Sequence, residues 1–360
     1  MKSISILIKP ASSLCNLRCK YCFYADEAKN RCTSSYGIMN KDIVNILIKR
    51  IEEAFDSQEG IANISFQGGE PTMAGLDYFE YFVESFKKYP NIKPNYSIQT
   101  NGTLLNDKWS KFFKENDFLI GVSLDGYKEN TDSFRLDINN KGVYENIIEG
   151  IKVLEKYQNE YNILTVLTRE LAKHPKELFE FYKNNKFDFI QLIPCLPSMD
   201  NIDDNMSLTQ NEYSFFYIEF FKLWKEDVLK GNFISVNLFE NIASMLEGKA
   251  PYQCGMIGRC SPQFVLEANG DVFPCDFYCL DKYKLGNIKN DSFINLYKKN
   301  LATFVSSSKC SNDFCKTCKF IRLCNGGCRR QNICYLSDDF CAYQKVLEYI
   351  IPEMYKIFTN

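Results

Sequence analysis

Six β-rich runs in the first 200 residues, each followed by a helical segment, constrain the fold most strongly. The runs cover residues 3–9, 62–68, 95–101, 118–126, 161–168 and 187–194. The segments between them, such as residues 41–55 and 145–157, repeat apolar residues at three- and four-residue spacing, as one face of a helix does. Such alternation requires parallel strands covered by helices, and six units favour an α/β fold, a partial (β/α)6 TIM-like barrel. A doubly wound open sheet is the alternative.

The composition is that of a globular protein. A net charge of −2 over 360 residues argues against a broad phosphate-binding surface, so we expect no nucleic-acid partner. Lys9 and Pro10 interrupt the apolar stretch that a signal peptide needs, and no segment has 18 uncharged apolar residues in a row. We therefore expect a cytoplasmic protein without a membrane partner.

Sixteen cysteines are more than a reducing compartment would use for disulfides, which indicates metal ligands instead. Three of them lie within residues 15–22, twelve lie beyond residue 190, and Cys32 lies between the two groups. The distribution predicts two separate metal-binding regions.

Cys15, Cys19 and Cys22 follow the first predicted strand without a fourth ligand nearby. A closed structural zinc site needs four ligands, and the single histidine, His174, is distant in the sequence. Three thiolates can instead hold an iron–sulfur cluster, which leaves one iron open to an exchangeable ligand. A partial zinc knuckle or a chance grouping is the alternative.

Polar and glycine-rich turns end several of the other predicted strands. They are QGGEP (67–71), QTNG (99–102), SLDG (123–126) and IPCL (193–196). Each could be an ordinary turn, but the carboxyl ends of barrel strands share one edge, and active sites lie there. The sequence therefore predicts a site at that edge.

The remainder of the chain divides into two regions. A polar connector (198–207) leads to a capping box at Thr209 and Glu212, which opens a long aromatic-rich helix. Beyond Cys254 we expect a hairpin turning at residues 269–270, cysteine-rich loops and a closing helix at 341–358. We predict a barrel over 1–200, a bridging helical region over 201–253 and a cysteine-rich domain over 254–360.

The spacing C-x3-C-x2-C followed by Phe23 and Tyr24 resembles the signature of the radical S-adenosylmethionine (SAM) superfamily, and GGEP resembles its second motif. The resemblance implies a [4Fe–4S] cluster on Cys15, Cys19 and Cys22 whose open iron binds SAM, which is split to a 5′-deoxyadenosyl radical. An isolated arginine is usually a solvated cation, but here the resemblance places Arg135 among the residues of the SAM pocket. The implied pocket residues are Tyr21, Gly68, Gly69, Glu70, Ser123, Arg135 and Leu196.

The C-terminal cysteines resemble the SPASM extension of peptide-modifying radical SAM enzymes, with C-x9-G-x4-C followed by C-x2-C-x5-C-x3-C. The resemblance implies two auxiliary [4Fe–4S] clusters, for a total of three, and full thiolate ligation suits electron transfer. Two zinc ribbons are the alternative. Cys279, three residues beyond Asp276, could face the same way on a helical turn. One auxiliary cluster would use Cys254, Cys260, Cys275 and Cys328, and the other Cys315, Cys318, Cys324 and Cys341, which leaves Cys32, Cys195, Cys279, Cys310 and Cys334 unassigned.

The whole chain, including LIKPASSLCNLRCKYCFY, FQGGEPTMAGL, CGMIGRCSPQF and PCDFYCLDKYKLGNI, resembles the anaerobic sulfatase-maturating enzymes. These radical SAM dehydrogenases oxidise one Cys or Ser of a sulfatase to Cα-formylglycine. The resemblance implies a peptide partner of the type Cys/Ser-x-Pro-x-Arg, or another peptide substrate, and a flavodoxin- or ferredoxin-like reductant. Asp276 would accept the substrate proton, and Tyr24 and Gln67 would be polar neighbours of the substrate.

Two other functions compete with this one. The first is a radical SAM maturase of a ribosomal peptide, which forms a thioether, an epimerised centre or a crosslink. Such enzymes often carry a leader-binding domain, whereas the first strand here is predicted at Ser3. The second is an iron–sulfur electron carrier, which needs no three-thiol site at a barrel rim. Tyr127 and Thr131 stand where the sulfatase family has Pro and His, and the sequence leaves open a Cys-type or Ser-type substrate, the reductant and the oligomeric state.

Overall fold

The computed structural model describes residues 2–200, 204–307 and 312–358. Cys310 and residues 201–203 of the predicted connector lie outside them. The strands are β1 (Ser3–Ile8), β2 (Gly60–Phe66), β3 (Ile92–Thr100), β4 (Leu119–Ser123), β5 (Tyr161–Leu167), β6 (Phe189–Pro194), β7 (Ser235–Val236), β8 (Phe264–Leu266), β9 (Asp271–Phe273) and β10 (Gly286–Asn287).

Helices alternate with the first six strands and dominate the rest of the chain. Short 3-10 turns occur as well, and the one used below is Asp276–Tyr278. The helices are α1 (Phe23–Lys29), α2 (Lys41–Phe55), α3 (Leu76–Phe86), α4 (Asp107–Glu115), α5 (Lys128–Phe134), α6 (Tyr144–Lys156), α7 (Pro175–Asn185), α8 (Gln210–Leu229), α9 (Asn237–Leu246), α10 (Phe293–Leu296), α11 (Ala302–Ser306), α12 (Asp313–Thr317), α13 (Ile321–Cys324) and α14 (Ala342–Phe358).

The chain forms two compact units. The first contains residues 1–123, 132–161 and 262–304. In it β1, β2, β3 and β4 pair in parallel in that order, and β8 pairs in parallel with the other edge of β1. The antiparallel strands β9 and β10 continue the sheet beyond β8. The apolar faces of α2 and α3 are buried, as their helical periodicity requires.

The second unit contains residues 124–131, 162–261 and 305–360. Here β5, β6 and β7 pair in parallel, and α8 packs against both α7 and α14. Aromatic side chains of α8 fill this contact, so the predicted aromatic stripe is core packing; Phe216, Phe220 and Phe221 are fully buried.

The local predictions agree with the observed elements. The six predicted runs correspond to β1–β6, and the segment 41–55 is α2. Thr209 and Glu212 form the predicted capping box at the start of α8, and residues 269–270 turn the hairpin between β8 and β9. The predicted domain boundaries at 200 and 253 stay a prediction, since contact-defined units do not test them. Within the described residues, no helix is long and apolar enough to cross a membrane.

Candidate functional site

The loop after β1 carries the three N-terminal cysteines. Cys15, Cys19 and Cys22 are each half-buried, and the backbone N–H of Leu17 donates to the Cys15 sulfur at 3.4 Å. Burial raises the pKa of Cys15 to about 11, against the Leu17 hydrogen bond. Burial also raises the pKa of Cys22, although N–H groups of the first turn of α1 lower it. Binding of a thiolate-ligated group must therefore compensate for deprotonating these thiols.

The predicted QGGEP turn packs directly against this cysteine loop. Gly69 N–H donates to the Ser12 carbonyl at 2.9 Å, and Glu70 N–H donates to the Leu14 carbonyl at 2.8 Å. A Cβ on Gly69 would lie 2.1 Å from the Leu14 oxygen, so only glycine fits. Gly68 has φ +116° and is similarly close to Ser12. The glycines were expected to admit a ligand, and here they also let two backbone segments meet.

Glu70 is fully buried, and its carboxylate fixes the ends of β2 and β3. One oxygen accepts from the Thr72 N–H (3.0 Å), the Thr72 hydroxyl (2.6 Å) and the Thr100 hydroxyl (2.8 Å). The other accepts from the Asn101 N–H at 2.7 Å. Burial raises the pKa of Glu70 and these hydrogen bonds oppose the rise. Its predicted part in SAM binding stays a prediction, and the carboxylate is already engaged by the protein.

Arg135 is buried, which makes the solvated-cation alternative wrong. Only 6% of the residue is exposed, and its guanidinium lies 5.7 Å from the centroid of the Tyr21 ring. Its charge favours the ionised form of Cys22 and lowers the pKa of that thiol. Ser123, at the end of β4, accepts from the Gln99 amide at 2.9 Å. The first unit thus places Tyr21 and Arg135 together beside the cysteine loop.

The hairpin of β8 and β9 brings Asp276 to the end of β1. Lys9 N–H donates to the Leu266 carbonyl at 2.8 Å, which extends the parallel pairing of β1 and β8. The chain then leaves β9 into the 3-10 turn of Asp276, where Phe277 contacts Phe23 of α1 with ring centroids 5.2 Å apart. Tyr24 and Asp276, which are 252 positions apart in the sequence, thereby become neighbours.

Asp276 lies within a compact polar cluster. The Tyr24 hydroxyl lies 2.6 Å from the Asp276 carboxylate, to which it donates, and 3.0 Å from the Gln67 side-chain oxygen. The Lys9 ammonium lies 3.1 Å from Glu27 and 3.4 Å from Asp276. The three predicted residues, Asp276, Tyr24 and Gln67, are therefore brought together. We call these five side chains the Asp276 cluster.

Burial governs the charges of this cluster. Burial opposes the charge of Lys9, but its electrostatic interactions with the Cys279 thiol and with the carboxyl groups of Glu27 and Asp276 outweigh burial and hold the Lys9 pKa well above its usual value. Burial raises the pKa of Glu27, and Lys9 pulls it partly back. The Tyr24 pKa is raised well above its usual value by burial and by Asp276, so its hydroxyl remains a donor.

Cys279 is a core thiol beside this cluster. It is fully buried with Leu7, Val265 and Phe273, and its N–H donates to Glu27 at 3.2 Å. Burial raises its pKa well above the usual value. The other unassigned cysteines of the described chain are Cys32, which is exposed, and the buried Cys195 and Cys334, whose thiol donates to the Cys195 carbonyl at 3.5 Å.

The second unit contains a cavity lined by four cysteines. We call it the four-cysteine cavity, and its cysteines are the predicted ligands of one auxiliary cluster, Cys315, Cys318, Cys324 and Cys341. Cys315 lies in α12 and Cys318 directly follows that helix, whereas Cys324 ends α13 and Cys341 precedes α14. Four thiols around one cavity suit a thiolate-ligated iron–sulfur cluster.

A second cavity of the same unit is lined by Cys254 and Cys328, and we call it the two-cysteine cavity. Gly255, at φ +83°, lets the chain approach Cys328, since a Cβ there would lie 2.7 Å from the Cys328 Cβ. Cys260 belongs to this unit and Cys275 to the first one. The assignment of Cys254, Cys260, Cys275 and Cys328 to one cluster stays a prediction, as does the place of Leu196 in the SAM pocket.

Within residues 2–200, 204–307 and 312–358, no three or more His, Cys, Asp or Glu side chains are arranged to hold a single metal ion. A zinc ribbon needs four donors around one ion, whereas the thiolates of a [4Fe–4S] cluster bind different irons.

Sequence reasoning missed two members of the Asp276 cluster. Lys9 is a charged residue that ends the apolar run SISILI, a signal that a buried partner exists. Glu27 carried no such signal, because its burial depends on Lys9 and on the hairpin. Asn101, whose amide lies 3.9 Å from the Cys15 sulfur, was also missed although it lies in the predicted QTNG turn.

Comparison with known families assigns both regions. Residues 10–182 match the radical SAM superfamily, and residues 254–319 match the SPASM iron–sulfur cluster-binding domain. A cysteine-type anaerobic sulfatase-maturating enzyme of Clostridium novyi (strain NT) is 46% identical, over 92% of this chain and 89% of its own length. The chain belongs to the anaerobic sulfatase-maturating enzymes. The corresponding cysteine-type protein of Clostridium perfringens (strain 13 / Type A) is 39% identical over the full length of both chains.

A serine-type relative and a solved structure extend the comparison to substrate type and to fold. The serine-type anaerobic sulfatase-maturating enzyme of Bacteroides thetaiotaomicron is 29% identical over all of this chain and 89% of its own. The solved structure of native anSMEcpe with bound AdoMet matches with a TM-score of 0.91 and 38% identity over 99% of this chain and all of that one. The predicted partial (β/α)6 barrel of the radical SAM type with a SPASM domain is confirmed, and the open-sheet alternative is set aside.

Proposed function

We infer that this protein is a radical SAM oxidoreductase that oxidises a cysteine side chain in a sulfatase peptide to Cα-formylglycine. The observation that carries the inference is similarity over at least 92% of the chain to cysteine-type relatives, at 46% and 39% identity, together with the Asp276 cluster. The serine-type relative is more distant, at 29% identity. We therefore propose the cysteine-type substrate.

The cofactors are three [4Fe–4S] clusters and SAM. When bound, they supply a 5′-deoxyadenosyl radical that takes a hydrogen atom from the substrate Cβ and an acceptor for the one electron that remains. We propose that Cys15, Cys19 and Cys22 hold the first cluster. Arg135 and Tyr21, beside this loop, and Ser123 at the end of β4 would hold SAM. Gly68 and Gly69 would hold it through the backbone.

The chain's own chemistry is the removal of one proton from the substrate thiol. Asp276 is the proposed acceptor, because its carboxylate is 13% exposed while the Lys9 side chain beside it is 3% exposed. The Tyr24 hydroxyl donates to Asp276 and orients it, and Lys9 provides a fixed positive charge 3.4 Å from it. Gln67, whose side-chain oxygen lies 3.0 Å from the Tyr24 hydroxyl, would be a polar neighbour of the substrate. Loss of the proton, the hydrogen atom and the electron leaves a thioaldehyde, which water converts to the aldehyde with release of hydrogen sulfide.

Anaerobic sulfatase-maturating enzymes act on a peptide segment, and one solved anSMEcpe structure contains the Kp18Cys peptide. We propose a Cys-x-Pro-x-Arg segment as the substrate here. A flavodoxin- or ferredoxin-like protein is the proposed reductant, since an iron–sulfur cluster needs a one-electron donor of low potential. A cytoplasmic location is proposed because cysteines that serve as metal ligands suit a reducing compartment.

Anaerobic turnover of Cys-x-Pro-x-Arg and Ser-x-Pro-x-Arg peptides, followed by mass spectrometry, tests the function. We expect formylglycine from the cysteine peptide and one 5′-deoxyadenosine per aldehyde. A thioether or an epimerised residue without aldehyde would refute the assignment.

The Asp276→Asn variant tests the proton acceptor. It should still cleave SAM but form at least about 100-fold less aldehyde, the usual range for loss of a general base. The matched control is Asp281→Asn, because Asp281 lies in the next turn and accepts from the Cys32 N–H at 2.8 Å. Full aldehyde formation by Asp276→Asn, or an equal loss in the control, contradicts the assignment.

A further inference from the structure

A tyrosine of α14 has an unpaired hydroxyl beside the predicted auxiliary clusters. Tyr343 is 5% exposed, and its hydroxyl oxygen is buried without a hydrogen-bond partner among the described residues. A buried hydroxyl without a partner costs about 1–3 kcal/mol. Such a group is therefore expected to have a partner that belongs to a bound cofactor.

The position of Tyr343 identifies that cofactor. Its side chain lines the four-cysteine cavity together with all four cysteines, and it also lines the two-cysteine cavity. The four-cysteine cavity contains a complete set of four thiol ligands, whereas the two-cysteine cavity contains only Cys254 and Cys328. The complete ligand set makes the cluster of the four-cysteine cavity the expected partner of the hydroxyl.

Tyr335 provides an internal comparison. Its ring packs against Tyr343 with centroids 5.7 Å apart, and it lines the same two cavities. Its hydroxyl oxygen, however, accepts a hydrogen bond from the Cys328 backbone N–H. The Tyr335 hydroxyl thus has a protein partner, whereas the Tyr343 hydroxyl has none among the described residues.

We propose that the Tyr343 hydroxyl donates a hydrogen bond to a sulfur atom of the auxiliary cluster in the four-cysteine cavity. A donor to cluster sulfur stabilises the extra negative charge of the reduced state and raises the reduction potential. Tyr343 is therefore a positioning residue for electron flow: it makes this cluster a better acceptor for the electron released by the reaction. The proposal rests on the auxiliary clusters of the proposed function.

Redox titration followed by electron paramagnetic resonance tests the proposal in the full-length protein. Cys15, Cys19 and Cys22 are replaced by alanine, which leaves the two auxiliary signals. We expect Tyr343→Phe to lower one of the two reduction potentials. The one-electron equilibrium constant should change five- to tenfold, and a tenfold change corresponds to about 59 mV. The second potential should not move, and iron and sulfide content should stay at two clusters per chain.

The matched control is Tyr335→Phe, which removes a hydroxyl from the neighbouring ring and should leave the affected potential unchanged. If Tyr343→Phe loses a cluster, Tyr343→3-fluorotyrosine keeps the ring and offers a more acidic donor, and it should raise the same potential. Unchanged potentials in the Tyr343 variants, or equal shifts in the Tyr335 control, overturn the proposal. Absence of both auxiliary clusters from the unsubstituted protein would instead overturn the proposed function.

Discussion

Replacing Lys9 by methionine tests whether its ammonium organises the Asp276 cluster. Methionine keeps the unbranched chain and removes the charge. The ammonium lies 3.1 Å from Glu27 and 3.4 Å from Asp276, and the Lys9 and Glu27 side chains are 3% and 2% exposed. With an effective dielectric constant of 20, each attraction is about 5 kcal/mol before desolvation is subtracted. Breaking a buried pair typically costs about 3–5 kcal/mol.

Protonation of Glu27 limits this loss. Its pKa is already raised by burial, and without Lys9 it rises further, so the carboxyl takes up a proton in the folded protein. At pH 7 that proton costs at most about 3.4 kcal/mol relative to an unfolded carboxyl with its ordinary pKa of 4.5, and part of this cost is already present in the unsubstituted protein, whose Glu27 pKa is about 7. We expect Lys9→Met to lower the free energy of unfolding by about 1–2 kcal/mol, less than the loss typical of a broken buried pair.

The same argument fixes the sign of the pH dependence. The folded pKa of Glu27 is raised to about 7 in the unsubstituted protein and rises further in Lys9→Met, so both folded proteins hold more protons than the unfolded chain. Stability is then highest below the unfolded pKa of 4.5 and falls as the pH rises. Between pH 4.5 and about 7 the two proteins lose stability in parallel, and above about pH 7 the cost of the substitution grows by up to about 1.4 kcal/mol per pH unit.

A second substitution separates stability from catalysis. Lys9→Met combined with Glu27→Gln removes both charges of the buried pair, so the apparent melting temperature should recover most of an expected drop of a few degrees. Asp276 still lacks its cation, so aldehyde formed per 5′-deoxyadenosine should stay low. Melting at one scan rate under anaerobic conditions, with mass spectrometry of products, measures both. A double variant no more stable than Lys9→Met, or one with full coupling restored, would refute the reasoning.

Two further substitutions probe the QGGEP turn. Gly69→Ala places a Cβ 2.1 Å from the Leu14 oxygen and should lower the iron bound by the cysteine loop. Gly75→Ala, at φ +86°, strains the backbone but meets nothing within 4 Å, so it should lower the iron content less; equal iron content in both would contradict the packing argument. Glu70→Gln loses acceptors for buried donors and should cost about 2 kcal/mol in thermal unfolding, while Glu84→Gln, at an exposed ion pair, should cost less than about 0.5 kcal/mol. Equal shifts for the two glutamates would show that the buried hydrogen bonds of Glu70 are not what stabilises the turn.

Local periodicity predicted the α/β class, and cysteine spacing predicted the cofactor type through its resemblance to the radical SAM and SPASM families. The six strands, α2 and the capping box at Thr209 follow from patterns within a few residues, and such patterns reflect local conformational preference. The three-cysteine loop was readable for the same reason, since its ligands lie within eight residues.

Only the tertiary structure decided how the site is charged. The pairing of β1 with β8 brings Lys9 beside Asp276, and no local sequence pattern predicts this contact. The burial of Arg135 likewise depends on segments distant in the chain. So does the lack of a hydrogen-bond partner for the Tyr343 hydroxyl among the described residues. Sequence alone determined which groups this protein carries, because ligand spacing is local. The fold determined which of them are dry, paired or left with an unused donor, because desolvation depends on every segment that packs around a group.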